Sequence, residues 1–240
     1  TAKGTALVNF LGISQEEDVQ SFLTIPSEQM EKGEGNIIFA TKQGQVKKTE
    51  LSEYENIRTT GIIAVGLADD DSLVRAQMTS GKDHVFLATA KGQSIRFAEE
   101  EVRTMGRTAK GVRGIKLKKK EDEVISMTII PLGNEDYDIV TVSERGYGKK
   151  TSLEEYRAQS RGGSGLITYS VSTKTGDLVA ARLEPTEKEE RPRDILLATE
   201  KGKVIRIPEK QLPRLTRSTL GVRLIKLGSG DTVSSVAFIE

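Results

Sequence analysis

The sequence predicts an all-β fold of repeated four-stranded blades, propeller-like, and three observations predict it. Four segments begin alike, each a short apolar or β-branched run closed by a turn glycine: Ile37 to Gly44, Val85 to Gly92, Ile139 to Gly146 and Ile195 to Gly202. A second glycine follows each, at Gly61, Gly111, Gly165 and Gly221, after 17, 19, 19 and 19 residues, with steps of 50, 54 and 56 between successive units. Each unit then closes with an acidic or glycine turn that leads into one more strand.

The elements follow in order within every unit. The first strand carries Ile, Val, Leu and Phe and ends in Ala-Thr, Val-Ser or Ala-Thr-Ala before its glycine, which marks a hairpin. The second strand is Val46 to Thr49, Ser94 to Phe97, Gly148 to Thr151 and Val204 to Ile207. The second glycine opens a third β-rich run. The turns Asp69-Asp70-Asp71, Glu121-Asp122-Glu123, Thr175-Gly176-Asp177 and Gly230-Asp231 precede the fourth. Lys3-Gly4 and Glu16-Glu17-Asp18 match only the second half of a unit. The reading is a single domain over 1–240, with a partial repeat at approximately 1–25 and complete ones at approximately 36–80, 84–130, 137–183 and 194–240. Four strands in about 50 residues is the period of a propeller blade, and stacking buries faces that one sheet would leave wet. Helix is expected only in short connections.

Composition narrows the function. The 240 residues are 36% hydrophobic and 30% charged, as in a water-soluble globular chain, and no apolar run approaches the ~20 residues of a membrane span. No leader is expected at Thr1. With no cysteine and a single histidine there is no thiolate nucleophile, disulfide framework or conventional zinc site. An independent enzyme is not expected, nor a metal site.

The net charge of +1 conceals a segregation. Residues 91–120 hold ten Lys and Arg against three Asp and Glu, and residues 201–226 hold eight against one. With 42–61 and 145–165 added, 97 residues carry +18 and the remaining 143 carry −17. If the units stack radially, equivalent loops share one rim and the cations form a belt suited to a polyanion. The candidate contacts are Lys47, Lys48 and Arg58 in the first unit, and Arg96, Arg103, Arg107, Lys110, Arg113 and Lys116 in the second. The third supplies Lys149, Lys150, Arg157 and Arg161 with the backbone of Gly162 and Gly163, and the fourth Lys203, Arg206, Arg214, Arg217 and Arg223. Without Trp and with only 5% aromatic residues, base stacking has little support, so duplex backbone is the expected ligand.

The run Arg103-Thr104-Met105-Gly106-Arg107-Thr108-Ala109-Lys110-Gly111-Val112-Arg113, with Gly146 to Thr151 and Gln159-Ser160-Arg161-Gly162-Gly163-Ser164-Gly165, resembles the C-terminal domain of the bacterial DNA gyrase A protein. The resemblance spans the whole chain. It implies a β-pinwheel, a propeller-like disc whose blades exchange a strand, here four complete blades and part of a preceding one. It also implies a basic outer rim that bends and wraps duplex DNA without sequence preference and presents a crossing segment to the topoisomerase core for ATP-dependent negative supercoiling. Partners implied are the N-terminal region of gyrase A, which holds the catalytic tyrosine, and gyrase B, in an A2B2 holoenzyme of the bacterial cytoplasm and nucleoid. ATP and Mg belong to the rest of that enzyme, with no cofactor in this domain, no membrane, and an isolated domain that is monomeric. The family's box reads Gln-Arg-Arg-Gly-Gly-Lys-Gly in its first blade of six. The copy at 159–165 has Ser160 and Ser164 at two basic positions. This chain is therefore expected to bind linear duplex while constraining little writhe.

Other groups are assigned structural roles. Tyr147 lies between two turn glycines with no base beside it, His84 opens a strand, and Asp69 to Asp71 lack the spacing of a calcium loop. Glu99 to Glu101 and Glu154-Glu155 are expected in short connections without acid–base work. Two rival readings remain: the equivalent domain of topoisomerase IV, and an interaction propeller of the WD-repeat type, against which the missing Trp-Asp signatures weigh.

Overall fold

The computed structural model describes residues 19–58, 60–119, 121–133, 136–186 and 193–239. Most of the partial first repeat lies outside them. Within each unit three strands form an antiparallel meander. The first unit has β1 (Asn36–Thr41), β2 (Gln45–Glu50) and β3 (Leu73–Thr79), and the second has β4 (His84–Thr89), β5 (Gln93–Ala98) and β7 (Val124–Ile130). The third has β8 (Tyr137–Ser143), β9 (Tyr147–Ser152) and β11 (Leu178–Pro185), and the fourth β12 (Asp194–Thr199), β13 (Val204–Pro208) and β15 (Val233–Ile239).

The remaining strands cross between units. β6 (Val112–Arg113) belongs to the second unit but pairs with β2, with Gln45 opposite Arg113 and Val46 opposite Val112. β10 (Leu166–Ile167) pairs with β5 and β14 (Val222–Arg223) with β9 in the same way. Three sheets thus have four strands, in the orders β3-β1-β2-β6, β7-β4-β5-β10 and β11-β8-β9-β14, and the fourth, β15-β12-β13, has three. The expected four complete blades become three complete ones and one lacking its outer strand, because that strand is always lent by the next unit. Strand β3 packs on β7, β7 on β11 and β11 on β15, so the sheets follow one another in sequence order.

The turn chemistry repeats because the hydrogen bonding repeats. The hydroxyls of Thr41, Thr89, Ser143 and Thr199 accept from the amides of Gln45, Gln93, Tyr147 and Lys203 at 3.2–3.3 Å, closing each hairpin. Asp71, Asp122 and Asp231 accept from the turn amides of Gln43, Lys91 and Lys201 at 2.9–3.1 Å. The acidic turns are therefore hairpin caps as well as solvated tips. Leu51–Tyr54, Glu99–Glu101, Leu153–Glu155 and Glu209–Gln211 each form a turn of 3-10 helix, as expected of these connections. Helix α1 (Ser27–Lys32) precedes the first unit, ended by Gly33 at φ +62.

Both glycines of a unit mark where sheets meet. Gly111 and Gly165 have φ of +90 and +72, and an added Cβ would overlap the carbonyl oxygens of Val46 and Ser94 in the preceding sheet. Gly221 would meet Gly148 O at 2.5 Å. At the ends of the series, Gly61 and Gly202 meet nothing within 4 Å. The core lies between sheets: Ile38, Val46, Leu87, Ile95, Phe97 and Met127 fill the first gap, Phe86, Ile139, Leu153 and Tyr156 the second, and Val140, Leu197, Ile207 and Ile225 the third. Alternate residues of each first strand face opposite gaps, which is why these strands read as unbroken apolar runs.

Candidate nucleic-acid interface

The loops that carry the strand exchange run along the outer edges of the preceding sheets. Met105 N donates to Lys48 O, Gln159 N to Arg96 O and Leu215 N to Lys150 O, at 2.8 Å each. The loops 102–111, 156–165 and 212–221 thus occupy equivalent places on the first, second and third sheets. Their cations therefore lie along the same edge of three successive sheets.

Exposure divides the candidates into three groups. Arg58, Arg103, Lys110, Arg113, Lys116, Arg157, Lys203, Arg206, Arg214 and Arg223 are exposed. Among these, Arg206 pairs with Asp194, Arg214 Nε donates to Asp138 at 2.9 Å, and Arg223 donates to the Tyr147 hydroxyl at 2.9 Å. Arg113 and Arg223 sit on the outermost strands.

Arg107, Arg161 and Arg217 are half-buried and make one contact in three copies. Each reaches back to a carbonyl of the preceding unit, that of Ile63 at 3.4 Å, Arg113 at 2.6 Å and Ile167 at 2.8 Å. Each also meets a glutamate there: Arg107 Nε lies 3.9 Å from Glu53, Arg161 N donates to Glu101 at 2.8 Å, and Arg217 N to Glu155 at 3.0 Å. A planar fork of donors suits such a clasp between blades. In the degenerate box, Gly162 N donates to Gly114 O at 2.7 Å, so this amide pairs with the neighbouring unit instead of facing a phosphate.

The third group corrects the sequence reading. Lys47, Lys48, Arg96, Lys149 and Lys150 are buried, with exposures of 0–8%. Lys47 Nζ donates to the carbonyls of Ala64 (2.5 Å), Gly106 (3.3 Å) and Arg107, and lies over the Phe39 ring. Lys149 Nζ donates to Thr216 O and Arg217 O at 2.6 Å and to Thr219 Oγ1 at 3.2 Å. Burial, aided by the Arg107 charge, lowers the Lys47 pKa to about 8. Burial likewise lowers Lys149 to about 8, with Arg217 adding to it against Glu155. Lys48 Nζ donates to Glu99 O at 3.1 Å, Lys150 Nζ lies 3.6 Å from Glu209, and Arg96 donates to His84 Nδ1 and Tyr156 O. These five cations bind protein atoms inside the sheets and leave the rim.

Tyr147, 5% exposed and hydrogen-bonded to Arg223, is structural as expected, and His84 accepts from Arg96. No group of three or more His, Cys, Asp or Glu able to hold a metal occurs among the described residues. No helix among them is long and apolar enough to cross a membrane.

A period of two also emerges. Units one and three carry Lys47-Lys48 with Leu51 and Tyr54, and Lys149-Lys150 with Leu153 and Tyr156. Units two and four carry Ile95-Arg96 with Glu99 and Val102, and Ile205-Arg206 with Glu209 and Leu212. Each buried lysine pair therefore serves the odd-to-even boundary.

With this geometry in place, comparison with known proteins decides the family. The sequence matches the family described as DNA gyrase C-terminal domain, beta-propeller, over residues 35–80, 83–131, 137–183 and 193–240. The chain belongs to the DNA gyrase C-terminal domain family. It is 40% identical over 233 residues to the DNA gyrase A protein of Lawsonia intracellularis, covering 97% of this chain and 27% of that protein. It is 40% identical over 237 residues to the Deinococcus deserti gyrase A protein, covering 98% and 28%. The chain spans about a quarter of the length of these relatives. Among solved structures, the C-terminal domain of DNA topoisomerase IV matches with a TM-score of 0.86 and 28% identity, covering 99% of this chain and 71% of that one. The DNA gyrase A C-terminal domain matches with a TM-score of 0.79 and 22% identity, covering 98% and 75%, and shares the fold. The match units coincide with the meanders, so the family repeat and the physical sheet differ by one exchanged strand.

Proposed function

We propose that this chain is the DNA-binding and DNA-bending domain of a gyrase A protein. It holds duplex along the outer edges of successive sheets and presents a crossing segment to the catalytic core for ATP-dependent negative supercoiling. The observation that carries this reading is the equivalent placement of three exchange loops, with Arg103, Lys110, Arg157 and Arg214 exposed upon them and Arg113 and Arg223 exposed on the exchanged strands that follow. Cations at regular intervals along one rim neutralise backbone phosphates without reading base edges. In this reading the catalytic tyrosine lies elsewhere in gyrase A. Two gyrase B proteins and a second gyrase A complete an A2B2 enzyme in the bacterial cytoplasm, and this domain uses no cofactor and is monomeric alone.

If about six phosphates are neutralised, the logarithm of the duplex affinity falls against log salt with a slope of ~−5. Charge reversal at Arg103, Lys110 and Arg113 together weakens binding to every duplex alike. A loss confined to one sequence overturns the backbone reading.

The topoisomerase IV likeness supports a second reading, a domain that binds duplex for decatenation. Under this second reading Ser160 and Ser164, which leave the box short of charge, go with little constrained writhe. Ligating nicked plasmid over the chain and resolving the topoisomers separates the two, since a strong linking-number shift favours the gyrase role.

A further inference from the structure

The buried lysines and the rim loops belong to one device. We propose that Lys47 and Lys149 are positioning residues that turn the peptide units of the following rim loop outward, making the Thr108 and Ser218 amides phosphate contacts for duplex DNA. This rests on the DNA-binding reading above and adds a site to it.

The geometry repeats in both odd units. Lys47 gathers the Gly106 and Arg107 carbonyls, and Lys149 gathers those of Thr216 and Arg217. No peptide bond among the described residues is cis, so each captured carbonyl points inward while the amide of the next residue points the opposite way. The Arg107 carbonyl is thus linked to the Thr108 N–H, and the Arg217 carbonyl to the Ser218 N–H. Thr108 and Ser218 are exposed, and neither amide donates to an acceptor among the described residues. Each presents an N–H and a hydroxyl beside an arginine, Arg107 or Arg217. Backbone amides held in this way bind anions, and an ammonium behind the peptide strengthens the outward dipole.

The even-to-odd boundary lacks the device. Ile95 stands where the lysine would be, and the 156–165 loop is held by Arg161 and by Gly162 N donating to Gly114 O. That loop is an internal control within the same molecule. Ile95 and Ile205 also show that this strand position accepts an apolar side chain, so Lys47→Met and Lys149→Met suit the sheet.

The test follows the amides of isotopically labelled chain during titration with a short duplex. The Thr108 and Ser218 signals are expected to shift strongly, with Gly162 nearly still. In free protein, Lys47→Met and Lys149→Met should speed tryptic cleavage at Arg107 and Arg217 about tenfold, leaving Arg161 unchanged, since hydrogen bonds from a buried charge are lost at those loops alone. Duplex affinity at fixed salt should fall about fivefold, with partial rescue by Lys149→Arg at its own loop. Duplex binding that leaves both amides unmoved overturns the inference alone, as does wild-type loop protection and affinity in both Met variants. Absence of any salt-dependent duplex binding by wild type overturns the functional reading and this site with it.

Discussion

Lys150 Nζ lies 3.6 Å from the carboxylate of Glu209, across the boundary between the third and fourth sheets, and both side chains are buried. Arg193 Nε reaches the same carboxylate at 3.3 Å. Two cations converge on one carboxylate inside a gap otherwise filled by Val140, Leu197 and Ile207. Such a group contributes stability only while its partners are complete.

Glu209→Gln is therefore expected to destabilise the chain by about 3 kcal/mol, because it removes the buried carboxylate that Lys150 and Arg193 share, while Arg193 keeps Glu184 at 2.9 Å. Urea unfolding of wild type and variant, compared at constant slope, measures it. An unchanged midpoint would show that water reaches the pair.

The equivalent residue two units earlier should behave in the opposite way. Burial pushes the Glu99 carboxyl up to about 7 from 4.5, with Lys48 offsetting only part of it and Asp83 and Glu100 adding to it. Between these values the folded chain holds a proton that the unfolded chain has released, so stability falls as pH rises through that window and stays lower above it. Glu99→Gln should leave stability unchanged near pH 4 and raise it by about 2 kcal/mol at pH 8. Unfolding midpoints across that pH range check the sign.

The exchange glycines can be ranked by what lies behind them. Gly165→Ala combines a φ of +72 with overlap on the Ser94 carbonyl and should cost about 3 kcal/mol or more, whereas Gly61→Ala, at φ +77 with open space, should cost only about 1 kcal/mol. Thermal melts of the two variants test the difference.

The arginine clasp separates stability from charge. Arg161→Lys keeps the cation but cannot bridge Arg113 O and Glu101 with one ammonium, so about 1 kcal/mol of stability should be lost while the salt slope of duplex binding is kept. Parallel unfolding and salt titrations distinguish a clasp from a phosphate contact.

The strands, the hairpins and the spacing of the units were legible because glycine, threonine and β-branched residues occupy fixed places relative to each turn. The rim was legible as a charge segregation. The burial of Lys47 and Lys149 was not, since Val46 to Thr49 has the look of an exposed edge strand and only the loop of the following unit closes over it. The alternation of Lys-Lys with Ile-Arg stood in the aligned second strands. It acquires meaning only once Glu99 and Glu209 are known to lie across the gap. The inter-unit role of Arg107, Arg161 and Arg217 depended on carbonyl positions that a periodic pattern does not encode.

The lent outer strand gives the chain a direction in time. Gln45 leaves the ribosome long before Arg113, its partner in the first sheet, and the same delay recurs at Gln93 with Ile167 and at Tyr147 with Arg223. Each of the first three sheets has three strands of its own and an edge that only the following unit covers. Removal of the second, third or fourth unit would strip the outer strand from the sheet before it, so damage at one blade is felt by the blade upstream.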